Sequence, residues 1–109
     1  MIVTLSDNMT DERIHEISDI IIQKAYESDI TGAILNFGMV SMVDSHIYRT
    51  FEKVSRVLTL FGRKVVWVGL NPGVVCSMID IGIEPDSSIL CTAMTLEQGL
   101  EKLEEAKEA

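Results

Sequence analysis

Positive charge is scarce in this chain. Nine lysines and arginines stand against 17 aspartates and glutamates, a formal net charge of −8 over 109 residues. A surface of that sign repels phosphate backbones, so nucleic acid is not an expected partner. No apolar run approaches the roughly 20 residues that cross a bilayer, and no membrane span is expected. The opening MIVTLSDNMTDERI has neither a basic flank nor a small-residue cleavage site, and does not read as a signal peptide. There are two cysteines, Cys76 and Cys91, in apolar stretches and without CxxC spacing. They read as buried free thiols of a cytoplasmic protein. Aromatics number six, so the core is expected to rest on Ile, Val, Leu and Met.

The motifs of common chemistries are missing as well. Neither GxGxxG nor GxxxxGK(S/T) occurs, which removes support for dinucleotide and P-loop nucleotide sites. There is no GxSxG nucleophile elbow. Asp44, Ser45 and His46 name the members of a catalytic triad. Neighbouring helical residues point about 100° apart, however, so Ser45 and His46 cannot share a hydrogen bond, and His46 reads as a surface histidine. His15 reads as solvated on the first helix. Two His and two Cys so scattered lack zinc-site spacing. Neither metal nor cofactor is expected, and the chain reads as a non-enzyme. Met9, Met39, Met42, Met78 and Met94 are assigned to core and loop gaps rather than to a binding surface.

What the chain does have is clear periodicity. MIVTL (1–5) is a β-rich start. Ile14, Ile17 and Ile21 recur at helical spacing within an amphipathic helix over about 10–28. GAILNF (32–37) is a nearly continuous apolar run, as in a strand buried on both faces. Ile47, Phe51, Val54, Leu58 and Phe61 form one stripe of a second helix over 45–61, stopped by Gly62. KVVWVGL (64–70) reads as a strand. Asn71-Pro72 supplies an N-cap and an N1 proline for a third helix, with Val75, Met78 and Ile79 on one face and Gly82 at its end. SSILC (87–91) reads as a last strand. Thr95 and Gln98 form a capping box before a final helix whose inner face is Leu96, Leu100 and Leu103, followed by a fraying charged tail. Strands alternating with helices imply crossovers and a mainly parallel sheet within a single α/β domain, 1–109.

Two corners offer sites. VGLNPG (68–73) is either an ordinary strand-to-helix turn, the commoner reading, or an anion site at the third helix's N-terminus. Asp44-Ser45 opens the second helix, where either side chain can cap it. A serine at a helix N-terminus is also a good switch position. Phosphate adds about −1.5 to −2 charges there, the helix dipole tolerates them, and a facing partner feels them.

MVDSHIYRTFEKVSRVLTLFGRKVVWVGLNPGVVCSMIDIGIE, with AMTLEQGLEKL after it, resembles the core of STAS domains, the fold of anti-sigma-factor antagonists such as SpoIIAA. Within that group it looks most like the RsbS type, the small scaffolds of stressosomes. The matching features are Asp44-Ser45, Gly62, the Gly-x-x-Pro turn and the Leu-Glu-Gln-Gly-Leu ending in register. The resemblance covers about residues 1–105 and implies a small mixed, mainly parallel sheet with helices packed against it. It implies a non-catalytic regulatory scaffold that restrains an RsbT-like serine/threonine kinase beside RsbR-like STAS proteins and releases the kinase when Ser45 is phosphorylated. Related partners carry a second phosphoacceptor near the start of the third helix, where Ser77 falls here. Partner contacts are expected at Asp44, Ser45, His46, Asn71 and Gly73. The alternative is an anti-anti-sigma factor that binds an anti-sigma kinase and frees a sigma factor. The family's usual extra first strand is absent from this sequence, so MIVTL is expected at an unprotected sheet edge that favours self-association.

Overall fold

The computed structural model describes residues 1–85 and 90–108, the last three as backbone only. The elements alternate from end to end: β1 Ile2–Ser6, α1 Asp11–Glu27, β2 Gly32–Met39, α2 Ser45–Leu60, β3 Lys64–Val68, α3 Pro72–Asp80, β4 Cys91–Ala93 and α4 Leu96–Glu108. The strands form one sheet in the order β1-β2-β3-β4, and every described pairing is parallel. The mixed sheet anticipated from sequence is therefore parallel throughout its described strands, because each strand is followed by a helix that carries the chain back.

Strand alternation sorts the core into two layers. Ala33, Leu35 and Phe37 of β2 and Val65 and Trp67 of β3 point to one face, where they meet Ile14, Ile21 and Ala25 of α1, Phe51, Val54 and Leu58 of α2 and Val74 and Met78 of α3. Ile34, Val66 and Val68 point to the other and meet Leu103 of α4. Covering both faces is what a continuous apolar run such as GAILNF requires. Trp67 centres the larger layer. It stacks on Phe37 at 4.7 Å and meets Tyr48 edge-on at 5.8 Å. Its indole N–H donates to Ser55 Oγ at 3.0 Å, and that hydroxyl donates to the Phe51 carbonyl, so the buried polar atoms are satisfied.

Several faces differ from the sequence reading. The buried side of α3 is Val74 and Met78, one turn apart, while Ile79 is exposed. Cys76, two residues from Val74, is thereby turned outward. It is exposed and Cys91 half-buried, so the thiols are free but not buried. Among the described side-chain positions of α4 the buried residue is Gly99, whose missing side chain lets the helix settle against Val68; Leu96 and Leu100 stay exposed on its flanks. Phe61, just past α2, is exposed too. The strand expected at 87–91 lies largely outside the described residues; the described strand begins at Cys91 and lasts three residues. The Thr95 box forms with one change. Thr95 Oγ1 accepts from Gln98 N, but Gln98 Oε1 accepts from Met94 N, one residue before the cap. The expected fraying tail continues as helix to Glu108.

Candidate functional site

A parallel sheet gathers the N-termini of its crossover helices along one edge, past the carboxyl ends of the strands. Ser45 lies there. Asp44 is the N-cap of α2, with Oδ1 accepting from Ile47 N at 2.8 Å. That settles which of the two residues caps the helix. Ser45 is the first helical residue, half-buried, and its hydroxyl makes no hydrogen bond to any described residue. Asp7 holds the approaching loop: its carboxylate accepts the Ser41 hydroxyl at 2.7 Å and the Ser41 backbone N–H at 2.8 Å. These bonds, the hydroxyl's first, hold the Asp7 carboxyl below its usual value of 3.8.

Ser45 opens onto a hollow of about 210 Å³ shared with Tyr48, Arg49, Glu52 and the turn Gly82–Glu84. Arg49 follows Ser45 by one helical turn, and no ion pair holds it among the described residues. Glu52 is engaged by Arg56 at 3.2 Å. His46 goes the other way. Its Nε2 lies 3.8 Å from Asp11 Oδ1, and its ring meets His15 edge-on at 5.3 Å. The divergence of Ser45 and His46 is the one their helical spacing requires.

At the neighbouring corner Asn71 caps α3, with Oδ1 accepting from Val74 N at 2.9 Å, and Gly73 is exposed in its first turn. The two corners are pressed together at their base. Gly69 has φ +81°, and a Cβ there would come within 2.6 Å of Gly38 N. Only glycine suits both the left-handed backbone and the close approach.

No family model matches the chain. Over 80 residues it is 31% identical to the uncharacterized protein YezB of Bacillus subtilis (strain 168), covering 73% of this chain and 80% of that one. Three solved structures share the whole arrangement. A serine-to-glutamate variant of RsbS from Moorella thermoacetica superposes with a TM-score of 0.85 at 21% identity over 99% of this chain and 90% of the other. A chain from the molecular architecture of the stressosome, a signal integration and transduction hub, gives 0.80 at 22% identity over 99% and 92%. The Bacillus cell fate determinant SpoIIAA, in its phosphorylated form, gives 0.66 at 17% identity over 94% and 88%. The chain belongs to the family of YezB, and its fold is the STAS fold of these structures.

Within this fold the residues anticipated from sequence do not form one cluster. Ser45 shares its hollow with none of Asp44, His46, Asn71 or Gly73. Asp44 and Asn71 are both caps on the same edge of the sheet. Ser77 is the sixth of nine residues in α3, and its carbonyl accepts from Ile81 N; it does not lie at the start of that helix. The electrostatic argument for a phosphate at a helix N-terminus therefore does not extend to it. Sequence reasoning missed Arg49 and Glu84. Arg49 carried a usable signal, its spacing of four from Ser45. Glu84 carried none, because the turn that brings it there is tertiary. The methionines are a correction. Met78 is buried, but Met39, Met42 and Met94 are exposed where β2 and β4 run out. They are apolar surface at the carboxyl edge of the sheet rather than filler.

Proposed function

We propose that this STAS protein is a non-catalytic, phosphorylatable scaffold. In this reading it binds and restrains an RsbT-like serine/threonine kinase within a stressosome-type cytoplasmic assembly that also contains RsbR-like STAS proteins, and phosphorylation of Ser45 releases the kinase. One observation carries the reading: Asp44 does the capping, which leaves the Ser45 hydroxyl without a hydrogen bond to any described residue at the first position of α2. A serine so placed is available to a kinase, and its phosphate meets the favourable end of the helix dipole. The exposed Met39, Met42 and Met94 supply adaptable apolar contacts for a partner on the same edge, with Asp44, His46, Asn71 and Gly73 as its polar rim. The likeness to RsbS and to a stressosome chain supports the scaffold role.

The test uses the cognate kinase and ATP, with the phosphate mapped by mass spectrometry. Modification falls on Ser45, and Ser45→Ala abolishes it while keeping kinase capture. Ser45→Asp weakens capture, since a fixed charge beside Asp44 desolvates badly at an interface fitted to a neutral hydroxyl. Phosphate mainly on Ser41, Ser55 or Ser77, or equal capture by both variants, overturns the switch. The likeness to phosphorylated SpoIIAA favours a second reading, an anti-anti-sigma factor that binds an anti-sigma kinase. Native size separates the two: a large co-assembly with other STAS proteins supports the scaffold, and a one-to-one kinase complex supports the antagonist.

A further inference from the structure

A hollow of about 420 Å³ lies at the other end of α2 from Ser45. Small-molecule sites typically span about 300–1,000 Å³. Its walls are Arg56, Thr59 and Leu60 from the last turns of α2, Arg63 and Lys64 at the entry to β3, then Val65 and Cys91. Three of the chain's nine basic residues meet here, and no acidic side chain lines the space among the described residues. On a chain of net charge −8 that is a local reversal of sign.

The three cations are not equivalent. Arg56 is held by Glu52 and is not counted as a ligand group. Arg63 is half-buried. One terminal nitrogen donates to the Ser28 carbonyl at 3.2 Å, which fixes the guanidinium, while its Nε is buried with no hydrogen-bond partner among the described residues. A buried guanidinium N–H calls for an acceptor, preferably an anionic one. Lys64 beside it is exposed and forms no ion pair among the described residues. The remaining wall is apolar. Leu60 is 85% exposed, an unusual position for a leucine, and the Cys91 thiol is half-buried.

We propose that this hollow binds a small amphipathic organic anion, a carboxylate on a short apolar chain. The carboxylate is received by the Arg63 guanidinium and Lys64, and the chain lies along Leu60, Val65 and Cys91. Charge alone would suit any anion. The exposed leucine beside the cations makes the apolar tail part of the fit, because covering it removes apolar surface from water. The site is independent of the Ser45 switch and stands or falls apart from it.

The test is a ¹H–¹⁵N NMR titration of the full chain with three probes: hexanoate, hexan-1-ol and acetate. Hexanoate gives saturable shifts at Leu60, Arg63, Val65 and Cys91 and binds at least about tenfold more tightly than either control, which lack the charge or the tail. Arg63→Gln weakens hexanoate binding about tenfold, the scale of one lost charge-assisted bond. Leu60→Glu, at an exposed position that leaves the core untouched, weakens it as well by placing a like charge at the rim. Absence of saturable shifts at these amides, equal binding of hexan-1-ol, or hexanoate affinity unchanged in Leu60→Glu overturns the proposal.

Discussion

Arg49 stands one helical turn beyond Ser45 on α2, and the two side chains line the same hollow. A phosphate on Ser45 is within the i, i+4 relationship that pairs opposite charges on a helix. With phosphoserine installed chemically at position 45, Arg49→Met is expected to raise the phosphate's second pKa by a few tenths, the scale of an i, i+4 pair. Phosphorus NMR titration of the two proteins measures it without any kinase. Identical titration curves would mean that the phosphate turns away from Arg49.

Capping and modification are divided between adjacent residues. Asp44→Ala loses the bond to Ile47 N and the negative charge at the helix start, and should cost about 1 kcal/mol. Ser45→Ala, which loses no bond to a described residue, should stay within about 0.5 kcal/mol. Urea unfolding of both variants checks the order. A larger loss for Ser45→Ala would assign the cap to the wrong residue.

Asp7 and Ser41 make the loop before α2 sensitive to acid. The folded pKa of Asp7 is depressed, so its stabilising contribution is present above the ordinary carboxylate value of 3.8 and disappears as pH falls through the lower, folded value. Ser41→Ala should return the Asp7 carboxyl towards 3.8 and remove that part of the acid dependence. Carboxyl-carbon NMR of Asp7 in both proteins reads the change. A folded pKa for Asp7 at or above 3.8 in the unmutated chain would contradict the geometry.

β1 pairs with β2 and with no other described strand, and Ile2 within it is 51% exposed. Leu5, expected on the unprotected edge, is instead fully buried, so the adhesive surface is narrower than the sequence suggested. We still expect the 109-residue chain to self-associate through this edge, more strongly as salt screens its −8 charge. Sedimentation at low and moderate ionic strength tests this, with Ile2→Lys as the variant that should restore a monomer. A strict monomer at high concentration in both buffers would exclude the contact.

The order of the elements, and seven of the eight themselves, were legible from periodicity and caps; the last strand shares only Cys91 with the expected 87–91. Thr10, Asp44 and Asn71 each accept the backbone bond that their side chains advertise. The faces of the short helices were less legible. In α3, nine residues rich in apolar types give no polar side to set the phase, and Val75 and Ile79 matched the period as well as Val74 and Met78 did. In α4 the deciding residue is Gly99, which carries no hydrophobic signal and acts by allowing close approach to Val68. Ser45 and its cap could be read because both are local to one turn. Its neighbours at Gly82–Glu84 could not, since they arrive through the packing of α3 and share no pattern with α2.

The contact between Gly38 and Gly69 has a consequence for signalling. It joins the two corners of this edge into one block, backbone against backbone, with the Asn36 side-chain oxygen close beside them. A covalent change at Ser45 cannot easily be transmitted by prying these corners apart. In the proposed switch the message would be written on the block as charge, and a docked protein would read it the way a lock reads a filed key: the shape behind the surface stays fixed, and only the surface differs.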